Sequence, residues 1–146
     1  MLTEETRKVL AVFMISRNNI LVMHWKSSGI HFDVQHKICE DLLDKIDTMI
    51  DDIGEILVSL DNMALTLPEA MELAKNIPFI PGDRNIEFDE MVKLLNGILS
   101  KLVSGAKHLS EVAKKEIGDP NHISPIMDDM LAKLGKELFY LNRRRQ

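Results

Sequence analysis

The stretch DVQHKICEDLLDKIDTMIDDIGEILVSLDN, residues 33–62, is the longest uninterrupted helical pattern in the sequence, and it decides the fold class. Asp33 can cap the exposed amides at the start, so the pattern predicts one helix from about Asp33 to about Asn62. A step of 100° per residue places ten apolar side chains on one broad face. They are Ile38, Leu42, Leu43, Ile46, Met49, Ile50, Ile53, Ile56, Leu57 and Leu60.

Three more helical patterns accompany this segment, and one long connection separates the four into two pairs. Residues 3–26 and 87–117 carry apolar side chains at helical spacing, and a further pattern runs over residues 124–142. The connection, residues 65–83, contains three prolines and has room for a short helix at residues 68–75. This order predicts an all-α fold, a ferritin-like four-helix bundle in which a long crossover carries a short helix between helices two and three.

The composition is that of a helical globular protein. Hydrophobic residues make up 45% and charged residues 28% of the 146 residues, which excludes a disordered or fibrous chain. Aromatic residues are only 5%, and this scarcity favours helices over strands. We expect one domain over residues 1–146, because two halves would each bury too small a core.

Charge and cysteine content narrow the partners and the compartment. The chain has 18 basic and 23 acidic residues, so its net charge of -5 repels a polyanion such as DNA and attracts cations. The single cysteine, Cys39, excludes an intrachain disulfide and suits a reducing compartment. The charged start is unlike a signal peptide, and no run of about 18 apolar residues is present. These features predict a cytoplasmic protein with no membrane association.

Four potential metal ligands form a stripe beside the apolar face of the second helix. His36, Glu40, Asp51 and Glu55 lie at about 0°, 40°, 60° and 100° around the helix axis. The two pairs are 15 residues apart, which corresponds to roughly 22 Å along a helix. A single ion therefore cannot contact both pairs in one chain.

Pairing this helix with a second copy of itself would bring the two kinds of ligand pair close enough to share a metal ion. An antiparallel contact about a two-fold axis near Lys45 and Ile46 places the first pair of each subunit opposite the second pair of the other, as in an isologous dimer. Asp44 and Asp47 lie in the same stripe, and like charges there would favour bound cations. Mixed imidazole and carboxylate ligands suit iron, zinc or manganese better than calcium or magnesium.

His24 can add an imidazole to the first pair, because the turn around Gly29 folds the end of the first helix against the second. Blander interpretations remain open, since an acidic stripe is commonly a solvated helix face and a histidine near a turn is commonly a packed side chain. Cys39 is expected to be a small buried hydrophobe, and the nine methionines are expected to fill the core. We expect the other three histidines, His31, His108 and His122, to be surface or loop residues.

Eight residues spread over 32 positions resemble the Dps family of bacterial mini-ferritins. The matching residues are His24, Trp25, Gly29, Phe32, His36, Glu40, Asp51 and Glu55. Residues 67–75, 81–83, 90–92 and 137–139 also have counterparts in that family, so the resemblance covers nearly the whole chain.

The resemblance implies a subunit of a dodecameric shell with iron-oxidising centres at its two-fold interfaces. His24, His36 and Glu40 would come from one subunit, and Asp51 and Glu55 from its neighbour. Such a ferroxidase oxidises Fe(II), preferably with hydrogen peroxide rather than dioxygen, stores ferric oxide inside the shell and protects against oxidative damage. Trp25 would serve as a nearby electron donor or radical trap.

The chain departs from the family pattern at two positions. Lys26 stands where the family usually has Asn, so a cation is expected near the centre, where it would weaken binding of Fe(II). Pro125 stands where the resemblance implies an acidic residue of a three-fold iron-entry pore, and Asp119, Asp128 or Asp129 would have to line that path.

DNA binding is expected to be weak or absent. The family commonly uses a Lys-rich tail ahead of the first helix, whereas the first helix here is predicted to start almost at Met1. Arg143, Arg144 and Arg145 supply little counterion release.

Two rival interpretations predict a different metal site or no metal site. A larger ferritin with its metal site inside each bundle needs Glu three residues before His, and no histidine in this sequence has that neighbour. A non-enzymatic helical nucleoid or scaffold protein could retain the fold without binding iron.

Overall fold

The computed structural model describes residues 1–116 and 118–144, and within them the chain forms five α-helices. They are α1 (Leu2–Trp25), α2 (Phe32–Asp61), α3 (Leu67–Leu73), α4 (Phe88–Lys115) and α5 (Ile123–Arg143), with a 3-10 turn at Pro120–His122 before α5. The all-α prediction is confirmed, including the short helix in the crossover. The predicted end of the third long helix at Ile117, and the basic residue Arg145, lie outside the described residues.

Helix α2 buries the face that its periodicity predicted. Eight of its ten predicted apolar residues are buried, and Ile50 and Leu60 are half-buried. The start of α2 differs from the prediction that Asp33 caps it, because His31 takes the N-cap position and Asp33 lies in the first turn. A carboxylate there still interacts favourably with the positive end of the helix dipole.

Two contacts show the direction of α4, the helix that follows the crossover, relative to α1. Ser27 at the end of α1 forms a bridge with Ile86 just before α4, and His108 far along α4 contacts Glu5 at the start of α1. Helices α1 and α4 are therefore antiparallel and pack against each other at the centre of the bundle, with α2 against α1 and α5 against α4.

Side chains from α1 hold the crossover in place. Asn19 is buried, donates from Nδ2 to the carbonyl of Pro78 at 3.1 Å, and accepts at Oδ1 from the amide of Ile80 at 3.0 Å. Arg7 reaches Glu69 at 2.6 Å near the start of α3, where Thr66 and Glu69 form a capping box. The crossover is thus tied to α1 at both ends.

No helix among residues 1–116 and 118–144 combines the length and the apolar character needed to cross a bilayer.

Replacing Asn19 by Ala should lower the free energy of unfolding by about 1–2 kcal/mol, because the Pro78 carbonyl and the Ile80 amide would lose their partly buried partner. Asn18→Ala is the matched control, since Asn18 is the exposed neighbour on the same helix. Urea unfolding at equal protein concentration measures both variants. Equal stability of the two would contradict a role for Asn19 in anchoring the crossover.

Candidate metal centre

The turn between α1 and α2 brings two of the predicted ligands together. His24 lies in the last turn of α1 and His36 near the start of α2, and their rings stack with centroids 3.9 Å apart and planes inclined by 25°. Phe32 stacks on the His36 ring at 5.4 Å. These two histidines, twelve residues apart in sequence, therefore form one compact pair.

One hydrogen bond determines which nitrogen of His24 is available. Nδ1 of His24 lies 3.3 Å from the backbone carbonyl oxygen of His36. A carbonyl oxygen can only accept, so Nδ1 carries the proton, and Nε2 of the neutral ring keeps a lone pair for a metal ion. A backbone carbonyl that orients a ligating imidazole in this way is a common feature of metal sites.

The stacking also limits how the two rings can share metal. A lone pair of imidazole lies in the plane of the ring, and a metal–nitrogen bond is about 2 Å long. Two rings stacked 3.9 Å apart with nearly parallel planes cannot both direct a lone pair at one ion at that distance. In this arrangement His24 and His36 would contact two neighbouring ions.

The histidine pair is positioned by a clamp on Ile86, which sequence reasoning missed. The amide of Ile86 donates to the carbonyl of Lys26, and its carbonyl accepts from the amide of Ser28 and from Nε2 of Gln35. Gln35 is fully buried and precedes His36 directly. The clamp joins the end of α1, the start of α2 and the start of α4. A glutamine between apolar and charged neighbours carries no sequence signal for this role.

The other predicted ligands lie along the exposed side of α2. Glu40 is exposed one turn after His36. Asp51 and Glu55 are exposed further along, and oxygens of Asp51, Asp52 and Glu55 all lie within 4.8 Å of one another. Asp52 was not predicted, although its position beside Asp51 was a signal for it.

The subunit does not bring the two groups of ligands together. Helix α2 is continuous from Phe32 to Asp61, so His36 and Asp51 stay roughly 22 Å apart along the axis. An apolar hollow of about 560 Å³ lies beside Asp51 and Glu55. Its walls include Leu10, Met14, Ile50, Val58 and Leu65.

The turn beside the histidines presents apolar side chains to solvent. Trp25 is 66% exposed, Ile30 is 95% exposed and Phe32 is 42% exposed. Lys26 ends α1 and is half-buried. This exposed apolar turn and the apolar hollow lie at opposite ends of the same stripe on α2.

Within the acidic stripe on α2, Asp47 forms an ion pair with a residue of the same subunit. Arg17 on α1 donates from Nε to Asp47 at 2.5 Å. Asp47 is therefore paired inside the subunit, whereas the expectation that Asp44 and Asp47 favour bound cations stays a prediction.

The three aspartates considered for an iron-entry path all have partners in the subunit. Asp119 accepts from the amide and the hydroxyl of Ser124, and Asp129 pairs with Lys133 at 2.8 Å. Asp128 accepts from the hydroxyl of Ser110, and this bond together with the Lys114 ammonium holds the pKa of the Asp128 carboxyl below its usual range.

The remaining histidines and the cysteine lie where they were predicted. His31, His108 and His122 are exposed. Cys39 is fully buried with its Sγ 3.8 Å from Met91 Sδ, and burial raises the pKa of its thiol to about 12.

Comparison with known proteins identifies the family. No family model matches the chain. Over 121 residues, which are 81% of this chain and 80% of the other, it is 31% identical to a DNA protection during starvation protein of Helicobacter pylori. The chain belongs to the Dps family.

Solved structures show the same fold at lower identity. A Dps protein of Vibrio cholerae, described as a member of the ferritin-like diiron-carboxylate superfamily, superposes with a TM-score of 0.89 at 20% identity, covering 99% of this chain and 89% of that one. A Dps protein from Bacillus brevis superposes with a TM-score of 0.87 at 22% identity, covering 99% and 95%. The ferritin-like Dps fold predicted from the sequence is confirmed.

Iodoacetamide at pH 8 should modify Cys39 of the folded protein at least about 100-fold more slowly than in urea, because the thiol is buried and almost entirely protonated. Intact mass spectrometry follows the reaction. The control is a Cys39→Ala, Asp41→Cys double variant, whose thiol would lie at an exposed position of α2 and react quickly. Fast modification of native Cys39 would contradict its assignment to the core.

Proposed function

We propose that this protein is a ferroxidase and iron-storage mini-ferritin. Its centres would lie between two subunits, with His24, His36 and Glu40 from one subunit and Asp51 and Glu55 from the other. The observation that carries this proposal is the stacked histidine pair at one end of α2 and the carboxylate group at the other, separated by a distance that one subunit cannot bridge. Membership of the Dps family supports the same reaction class.

Two surfaces of the subunit support the dimer. The apolar turn around Trp25, Ile30 and Phe32 lies beside the histidines, and the apolar hollow lies beside Asp51 and Glu55. A two-fold axis at the middle of α2 would bring the turn of each subunit towards the hollow of the other, so that burial of apolar surface would bring the ligand groups together.

The reaction consumes Fe(II) as substrate. Two Fe(II) ions give up one electron each, and one molecule of hydrogen peroxide takes both electrons and two protons to become two molecules of water. The imidazoles would bind Fe(II) without adding charge, and the carboxylates of Glu40, Asp51 and Glu55 would stabilise the higher charge of Fe(III). Trp25, exposed beside His24, would donate an electron to a stray oxidant.

The oxidised product would move into the interior of a closed shell. Removing Fe(II) and peroxide together would protect the cell, because these are the two reactants that form hydroxyl radical. Asp52 extends the carboxylate group beyond the predicted ligands and gives Fe(III) a further oxygen donor.

The intersubunit arrangement can be tested by complementation. His36→Ala and Asp51→Ala should each reduce peroxide-dependent Fe(II) oxidation more than about tenfold, because each removes a ligand from every centre. Unfolding the two variants together in equal amounts and refolding them should restore about a quarter of the wild-type rate, since half of the dimers are mixed and each mixed dimer has one intact centre. Ferric absorbance after anaerobic mixing measures the rates.

Two controls accompany this experiment. Wild-type protein refolded alone reports recovery, and Asp41→Ala removes an exposed carboxylate of α2 that is not a proposed ligand, so it should retain activity. A mixture no more active than the separate variants would show that the ligands do not come from two subunits. Unchanged oxidation in both single variants would contradict the proposed centre, and a wild-type rate equal to the protein-free rate would favour a non-enzymatic scaffold. Native mass spectrometry then distinguishes a dodecamer from a dimer.

At about 150 mM salt and sub-micromolar protein, we expect no mobility shift of duplex DNA. The net charge of -5 opposes binding, and the exposed cations Arg143 and Arg144 at the end of α5 offer few phosphate contacts. Any shift under these conditions would contradict the prediction, and its loss on Arg143→Glu, Arg144→Glu substitution would assign it to the end of α5.

A further inference from the structure

A groove on the opposite side of α1 from α2 is not used by the proposed metal centre. It is bounded by α1, the segment 76–80 and α4, and it consists of two cavities of about 380 and 220 Å³ that share Ile77 and Lys101. Ligand sites in proteins typically occupy 300–1,000 Å³, so the groove is large enough for a small molecule.

Both cavities have mainly apolar walls, and the larger one has the greater share of polar surface. The larger cavity has Lys101, Ser100, Ser104 and Asn76 on its walls. The smaller cavity is dominated by apolar side chains, with Pro78, Ile80, Leu94 and Ile98 among them. A ligand that fits both ends has a polar head and an apolar tail.

The charged residues on the walls of the groove favour a ligand with an anionic head group. None of the described residues that line the two cavities is acidic. Lys93 and Lys101 line it, and neither forms an ion pair within the described part of the chain, whereas other lysines, such as Lys75 and Lys114, are paired with carboxylates. In a chain whose net charge is -5, a groove with two lysines and no acidic residue on its walls is a locally basic surface.

Gly97 leaves space above the groove, and hydrogen bonds from Asn19 hold the segment that forms its floor. Gly97 on α4 lies between the two lysines, and a Cβ at this position would have no atom within 4 Å. The segment under it is held by Asn19, whose two side-chain hydrogen bonds are both directed at Pro78 and Ile80. The groove is therefore preformed, and a ligand need not order it.

We propose that this groove binds a single-chain fatty acid. The carboxylate lies at the end formed by Lys101, Ser100 and Ser104, and the alkyl chain passes over Gly97 towards Ile80 and Leu94. Burial of the alkyl chain against the apolar end supplies most of the affinity, and the lysine selects the charge of the head. This site is independent of the proposed oxidation of iron.

Isothermal titration of the assembled, iron-free protein with sodium dodecanoate, below its micelle concentration, tests the proposal. Saturable binding is expected at one site per subunit, whereas acetate and dodecyltrimethylammonium should not bind. Lys101→Glu and Gly97→Leu should each weaken the affinity roughly tenfold, the first by reversing the charge at the head and the second by filling the groove.

Matched controls separate the groove from the general surface. Lys107→Glu changes another exposed lysine of α4 that forms no ion pair among the described residues, and Gly135→Leu changes another helical glycine with open space around it. Both should bind dodecanoate like the wild type. Equal binding of the cationic amphiphile, or equal affinity in Lys101→Glu and Lys107→Glu, would overturn the proposal. Absence of binding would also overturn it, and would be the result if a neighbouring subunit or a protein segment covers the groove.

Discussion

The continuity of α2 is the constraint on which the organisation of this protein depends. Helix α2 runs without a break from Phe32 to Asp61, and hydrogen-bonded helical geometry sets the rise per residue. The helix therefore acts as a rigid spacer that keeps the histidine end and the carboxylate end apart. Any metal chemistry that uses both ends has to involve a second subunit, and the exposed apolar surfaces near both ends suit such a contact.

The second requirement is the clamp on Ile86. A helical hairpin alone would leave the rotation of α1 relative to α2 poorly determined at its open turn. Backbone hydrogen bonds from Lys26 and Ser28 and the buried amide of Gln35 all converge on Ile86 and fix the turn against the start of α4. These three hydrogen bonds tie the end of α1, the start of α2 and the start of α4 to one residue, and they favour the observed arrangement. The stacking of His24 on His36 follows from it.

Some acidic residues form ion pairs inside the subunit and others do not. Asp47 is paired with Arg17, and Asp128 and Asp129 are paired with lysines. Asp51 and Glu55 form no ion pair with the described residues and remain exposed beside Asp52. Asp51 and Glu55, which are proposed to bind iron, are thus among the carboxylates that keep their charge available. This selection could not be made from charge counts, because a stripe of acidic residues looks uniform in the sequence.

Helix positions, the buried face of α2 and the distance between its ligand pairs could all be predicted from the sequence, because helical periodicity and rise depend only on neighbouring residues. The family was also recognisable from the spacing of its motif. By contrast, the contact of His24 Nδ1 with the His36 carbonyl, the clamp through Gln35, the pairing of Asp47 with Arg17 and the acid-free groove beside Gly97 were visible only in three dimensions. Each depends on contacts between residues that are distant in the chain, and such contacts are determined by how the helices pack.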